Sequence, residues 1–133
     1  MKPDCVFLLI EDNLIDQLIT TKLLKKALGV VKISVVNNGK EGIEWLRNYK
    51  NGLNESLIIL LDIKMPEMDG FEFLERFDEI SEDVKQNIEI FMLSSTMDRN
   101  DIKRAKDNTY VKNLFSKPLP AKEFKDMIQV EHC

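Results

Sequence analysis

Six residues of this chain have the types and the spacing to do chemistry together. Glu11 and Asp12 directly follow the apolar run Cys5–Ile10 (CVFLLI). Asp62 follows the run Leu57–Leu61 (LIILL). Ser94 and Ser95 follow Ile88–Leu93 (IEIFML), and Lys117 closely follows Val111–Phe115. Each therefore sits just past a stretch of strand length. A carboxylate at the end of a buried strand needs a cation, donors or water, because burying an unpaired charge is costly. Three carboxylates brought together repel and raise one another's pKa values. A divalent cation removes that conflict, and an all-oxygen ligand set with room for water favours Mg²⁺ over a transition metal. A carboxylate can attack phosphorus to form an acyl phosphate, with the metal and the Lys117 ammonium offsetting charge on the transferring group. The product side chain gains about 1.5–2 negative charges, which the Ser94 hydroxyl could move to bond. Taken singly, each residue has a plainer reading. Glu11–Asp12 suit a helix N-terminus, the serines suit any strand end, and Lys117 suits a solvated surface. Their shared position at the ends of separate strands is what argues for a site.

The elements that must position them alternate along the chain. Strands are expected at Cys5–Ile10, Val31–Val36, Leu57–Asp62, Ile88–Leu93 and Val111–Phe115. An unbroken apolar run such as Leu57–Leu61, bounded by turn residues, fits a strand buried on both faces. Helices are expected at Leu14–Leu28, Gly42–Tyr49, Gly70–Glu79, Asp98–Asp107 and Ala121–Val130, with a further turn of helix within Ser81–Asn87. The first helix has Asn13 as N-cap and ends at Gly29; its broad apolar face predicts that it is well buried. Asn37, Asn38 and Gly39 read as a turn, and Asn51–Ser56 as a polar loop. Five β-then-α units predict an open α/β parallel sheet with helices on both faces. In strand order 2-1-3-4-5 the first, third, fourth and fifth strands are contiguous. Their carboxyl ends then bring three carboxylates, a hydroxyl and an ammonium to one shallow pocket at the switch point.

Composition narrows the class. The 133 residues carry a net charge of -4, with 44% hydrophobic and 32% charged residues, as expected of one globular domain. An acidic chain without a basic stripe argues against nucleic acid. No apolar run approaches a membrane span, and the N-terminus reads as a first strand rather than a signal. Two cysteines, Cys5 and Cys133, do not make a disulfide framework, and cytoplasm is the default expectation.

The pieces LLIEDN (8–13), LLDIKMPEMDG (60–70), FMLSST (91–96) and LFSKPL (114–119) resemble the receiver domain of two-component response regulators. The likeness runs from Phe7 to about Ile128 and implies a single receiver domain over 1–133 with no output domain. It implies that Asp62 accepts a phosphoryl group, and that Asp12 binds Mg²⁺ (or Mn²⁺) directly and Glu11 mainly through water. The backbone carbonyl of Lys64 completes the ligands. Lys117 pairs with the phosphoryl group, Ser94 is the switch hydroxyl, and the Lys117–Pro118 peptide is cis. The only histidine, His132, lies in the tail, so the donor is a sensor histidine kinase or a histidine phosphotransfer protein. The responding surface is the face of helix 98–107, strand 111–115 and the last helix, including Ser95, Thr96, Leu114 and Phe115. A monomer or weak homodimer is expected, acting on a protein target or relaying phosphate, and catalysing only its own phosphorylation and slow dephosphorylation.

Two positions depart from the family's pattern. Leu114 stands where an aromatic is frequent, and Phe115 should face the opposite side by strand alternation. Lys64 is an unusual neighbour of Asp62, and with Thr96 it is expected to alter access of water to the acyl phosphate. Unchanged dephosphorylation in Lys64→Ala would remove that idea. The competing readings are weaker. A haloacid-dehalogenase-type phosphohydrolase would carry a second Asp where Lys64 stands. A nucleotide or flavin domain would carry a glycine fingerprint, and only Gly39 and Gly42 lie close together. A receiver-like binding module that works without phosphorylation remains the main alternative.

Overall fold

The computed structural model describes residues 5–29, 32–49 and 56–129. Among these residues, five strands and six helices follow one another: β1 Cys5–Ile10, α1 Leu14–Leu28, β2 Lys32–Val36, α2 Gly39–Asn48, β3 Ser56–Asp62 and α3 Gly70–Asp78, then α4 Glu82–Lys85, β4 Ile88–Ser94, α5 Arg99–Asp107, β5 Val111–Ser116 and α6 Ala121–Gln129. The sheet is parallel throughout in the order β2-β1-β3-β4-β5. The expected fold class is borne out. Val31, the loop 51–55, Val130, His132 and Cys133 lie outside the described residues.

The central strand explains the arrangement. All seven residues of β3 are buried, because helices cover both of its faces. Alternation then divides the core in two. Leu8, Ile10, Ile59, Leu61 and Met92 face Ile43, Leu46, Phe73 and Phe77 of α2 and α3, with Ala105 of α5. Phe7, Leu9, Ile58, Leu60 and Phe91 face Leu24 of α1 and Phe124 and Ile128 of α6. Burying each large aliphatic or aromatic side chain is worth about 1.5–3 kcal/mol, so these two layers hold the sheet edge where the candidate residues meet.

Two local expectations are corrected. The first helix is not well buried: Leu14, Ile15 and Leu18 are 71%, 67% and 62% exposed, and Ile19 is exposed too. Its packed stripe runs through Thr20 and Leu24, with Leu23 and Leu28 half-buried. The apolar residues of its first turns point to solvent. The second helix starts at Gly39, not Gly42, because Asn38 caps it by accepting the Glu41 N–H at 2.9 Å. β2 is an edge strand, and among its described residues none is fully buried.

The far end of the sheet carries a polar latch. Lys85 of α4 donates to the Asp78 carbonyl and to the Tyr110 hydroxyl, both at 3.1 Å. Its ammonium also lies over the Phe77 and Tyr110 rings, and the Tyr110 hydroxyl donates to Asp78 Oδ1. Just beyond, the pairing of β4 with β5 slips: Ile90 faces Val111 but Phe91 faces Asn113. Lys112 is thus an extra residue on the edge strand, the mark of a bulge.

Candidate functional site

Parallel register delivers the site. Ile10 pairs with Leu61, and Asp62 pairs with Leu93. One step further, the Glu11 N–H donates to the Val36 carbonyl at 3.0 Å and the Lys117 N–H to the Ser94 carbonyl at 2.8 Å. Glu11, Asp62, Ser94 and Lys117 therefore reach the same edge of the sheet. One carboxylate oxygen each from Glu11, Asp12 and Asp62 lies within 4.8 Å of the others. Glu11 and Asp62 are buried, and Asp12 is exposed.

The Lys117 ammonium sits among acids. It lies 2.5 Å from Glu11 Oε1, 3.0 Å from Asp16 Oδ2 and 3.3 Å from Asp62 Oδ2. Glu11 Oε2 accepts the Asn13 N–H at 3.2 Å. Gln17 Nε2 donates to the Glu11 carbonyl at 2.6 Å and to Asn37 Oδ1 at 2.9 Å, tying the β1–α1 turn to the β2–α2 loop. Burial pushes Glu11 up to about 7, against the Lys117 hydrogen bond and with the help of the Asp62 charge. Burial also raises Asp62, against the charge and hydrogen bond of Lys117. Burial pulls Lys117 down, but its bond to Glu11, the Asp62 charge and its bond to Asp16 outweigh that, so it stays protonated.

Two buried carboxylates that resist ionising, beside an exposed third, make an all-oxygen set fitted to a hard divalent cation. Such an ion supplies the charge that burial withholds.

The loop after Asp62 is held closely. Gly70 donates its N–H to the Ile63 carbonyl at 2.8 Å. A Cβ at Gly70 would meet the Asp62 carbonyl oxygen at 2.6 Å and Ile63 Cα at 3.0 Å, so only glycine fits. Asp69 caps α3 through a capping box with Glu72. Glu67 has φ 65°, a left-handed conformation rare outside glycine, and its carboxylate accepts from Asn38 Nδ2 at 3.1 Å.

The other expected residues make contacts of their own. The Ser94 hydroxyl is buried and donates to the Thr96 carbonyl, also accepting the Thr96 N–H at 3.2 Å; it is engaged within its own loop. Ser95, Thr96 and Lys64 are exposed. Leu114 lines a groove of about 280 Å³ with Met97, Ile102, Ala105 and Val111. Phe115 turns the other way, stacked on Phe91 and edge-on to Phe124, as alternation requires. The Lys117–Pro118 peptide is cis. Asp16 is the member that sequence reasoning missed. It stands third in the first turn of α1, where an acid is ordinarily explained by the helix dipole, so nothing in its spacing set it apart.

A family model of the response regulator receiver domain matches residues 7–129. The chain belongs to that family. A response regulator receiver protein from Dyadobacter fermentans superposes on this receiver with a TM-score of 0.86 at 30% identity, covering 95% of this chain and 96% of the other. A two-component response regulator from Cytophaga hutchinsonii gives 0.84 at 30% identity, over 98% and 97%. In sequence, the probable methanogenesis regulatory protein FilR2 of Methanothrix harundinacea is 28% identical over 93% of this chain and 79% of its own length. The hybrid signal transduction histidine kinase K of Dictyostelium discoideum is 32% identical over 97% of this chain, and the receiver spans 11% of that longer relative. No described helix is long and apolar enough to cross a membrane.

Proposed function

We propose that this receiver is a phosphoacceptor of a two-component system or phosphorelay, with Asp62 taking a phosphoryl group from a phosphohistidine. The observation that carries the reading is the Lys117 ammonium set between the Glu11 and Asp62 carboxylates, with Asp12 beside them. Glu11, Asp12, Asp62 and the Lys64 carbonyl would hold Mg²⁺ or Mn²⁺, which when bound offsets the charge of the carboxylates and of the phosphoryl oxygens. Asp62 attacks phosphorus, the phosphorus–nitrogen bond breaks, and its electron pair returns to the imidazole of the donor. Lys117 opposes the burial that disfavours ionised Asp62 and then pairs with a phosphoryl oxygen. The Ser94 hydroxyl leaves its own loop to bond another, which shifts the face of α5, β5 and α6 towards a partner-binding state. With Leu114 on that face, the rearrangement centres on the Ser94–Thr96 loop and α5 rather than on a swinging aromatic ring. The only chemistry catalysed is the receiver's own phosphorylation and a slow hydrolysis.

The donor is a sensor histidine kinase or a histidine phosphotransfer protein, and it docks on the exposed start of α1. Ile19 and Asp16 there share a cleft of about 350 Å³ with Lys117 and Pro118, so the apolar surface is continuous with the site. Incubation with acetyl phosphate and Mg²⁺, followed by intact mass, tests the reading. The wild type gains one phosphoryl group and Asp62→Asn gains none. Failure of the wild type to gain it, with a histidine donor failing too, returns the chain to a binding module independent of phosphorylation.

A further inference from the structure

We infer that Asp16 is a positioning residue for Lys117, a fourth carboxylate that shares the ammonium and so limits how firmly the site holds a phosphoryl group. This rests on the reading of Asp62 as acceptor and Lys117 as its partner. An ammonium has three protons to donate. In this receiver two of them go to Glu11 at 2.5 Å and Asp16 at 3.0 Å, while Asp62 lies in ion-pair range at 3.3 Å. The cation lies nearer Asp16, on α1, than nearer the acceptor. Glu11 is the fully buried partner and is not easily given up. Asp16 is 34% exposed and competes with any oxygen arriving on Asp62.

Charge counting leads to the same place. Glu11, Asp12 and Asp62 against Lys117 leave a deficit that one divalent cation cancels. Adding Asp16 leaves one negative charge over, before the phosphoryl group brings more. Asp16 thus works against the phosphorylated form twice, by holding the ammonium back and by its own charge. Its place in the first turn of α1 makes it independent of the strand ends, so it can be altered without touching the acids around the metal site. Asn13, the cap of that helix, bonds the Asp16 backbone N–H rather than its side chain, so replacing the carboxylate leaves the cap intact.

The test compares wild type, Asp16→Asn and Asp16→Glu in the full chain. Two quantities are read: affinity for beryllofluoride in saturating Mg²⁺ by calorimetry, and formation and decay of the acyl phosphate from acetyl phosphate by intact mass. Asp16→Asn should bind beryllofluoride about two- to fivefold more tightly, the worth of one partly exposed ion pair, and hold its phosphoryl group correspondingly longer. Asp16→Glu, which keeps the charge and the reach, should stay near wild type. The gain should persist at about 1 M salt, where fields beyond roughly 3 Å are screened but a contact is not. Equal or weaker binding by Asp16→Asn overturns the inference, and so does a gain that vanishes in salt. A wild type that takes neither beryllofluoride nor phosphate overturns the acceptor reading, and this one with it. A wild type that takes both while Asp16→Asn gains nothing overturns this one alone.

Discussion

Lys117 is the residue on which the site's electrostatics turn. Its side chain is 12% exposed, and its ammonium is the cation for two buried acids. Breaking a buried pair by removing one partner costs about 3–5 kcal/mol, because the other charge is left uncompensated. Here the loss has an escape, since Glu11 already titrates near 7 and can take a proton instead. Lys117→Met should therefore destabilise the receiver clearly at pH 8 and much less at pH 5, as read by urea unfolding at both values. The same raised pKa sets a slope for the metal-free wild type. Between about 4.5, the ordinary value, and about 7, folded Glu11 binds a proton that the unfolded chain has released. Stability therefore falls as pH rises through that window. Asp62, raised in the same direction, adds to the fall. Mg²⁺ should reverse it, so that the rise in Tm on adding Mg²⁺ is larger at pH 8 than at pH 5.5. Metal-free stability that climbs from pH 5 to 7 would contradict the geometry.

At the level of elements, strands were readable and helix surfaces were not. Largely apolar runs announced β1, β3 and β4, because a strand buried on both faces must be apolar nearly throughout, whereas the edge strands β2 and β5 carry polar residues and are less buried. β3 is the clear case. Gly70 was legible as the start of a helix, but how tightly the chain packs around it depends on contacts that sequence does not carry. Gly70→Ala presses a Cβ against the Asp62 carbonyl and Ile63 Cα, both backbone and unable to yield cheaply. It should cost about 1–3 kcal/mol in urea unfolding and slow labelling of Asp62 by moving its carbonyl. The first helix misled for a related reason. Leu14, Ile15, Leu18 and Ile19 look like a core face, yet the stripe that packs on the sheet includes polar Thr20. Apolar residues kept for a partner and apolar residues kept for the core have the same composition. Asp16 escaped notice likewise, because a dipole-facing acid and a ligand of Lys117 occupy the same helical position.

The whole molecule separates two surfaces around one site. The start of α1 presents exposed aliphatic side chains beside Lys117, while α5 and β5 present the groove at Leu114. A polar change at an exposed position barely touches stability, within about 0.5 kcal/mol. Leu18→Lys should thus leave Tm nearly unchanged, yet slow transfer from a histidine donor protein far more than labelling by acetyl phosphate. Equal slowing with both donors would remove α1 from the docking surface. β5 joins these surfaces, and its two ends are built differently. Tyr110, just before its first residue, is held by Lys85 and Asp78, and Lys112 interrupts the ladder before Leu114. Any response to phosphate at the Lys117 end must then spend itself beyond the bulge. Deuterium uptake should record this as a gradient within one strand: amides at 114–116 change their exchange on phosphorylation, while that of Val111 keeps its protection.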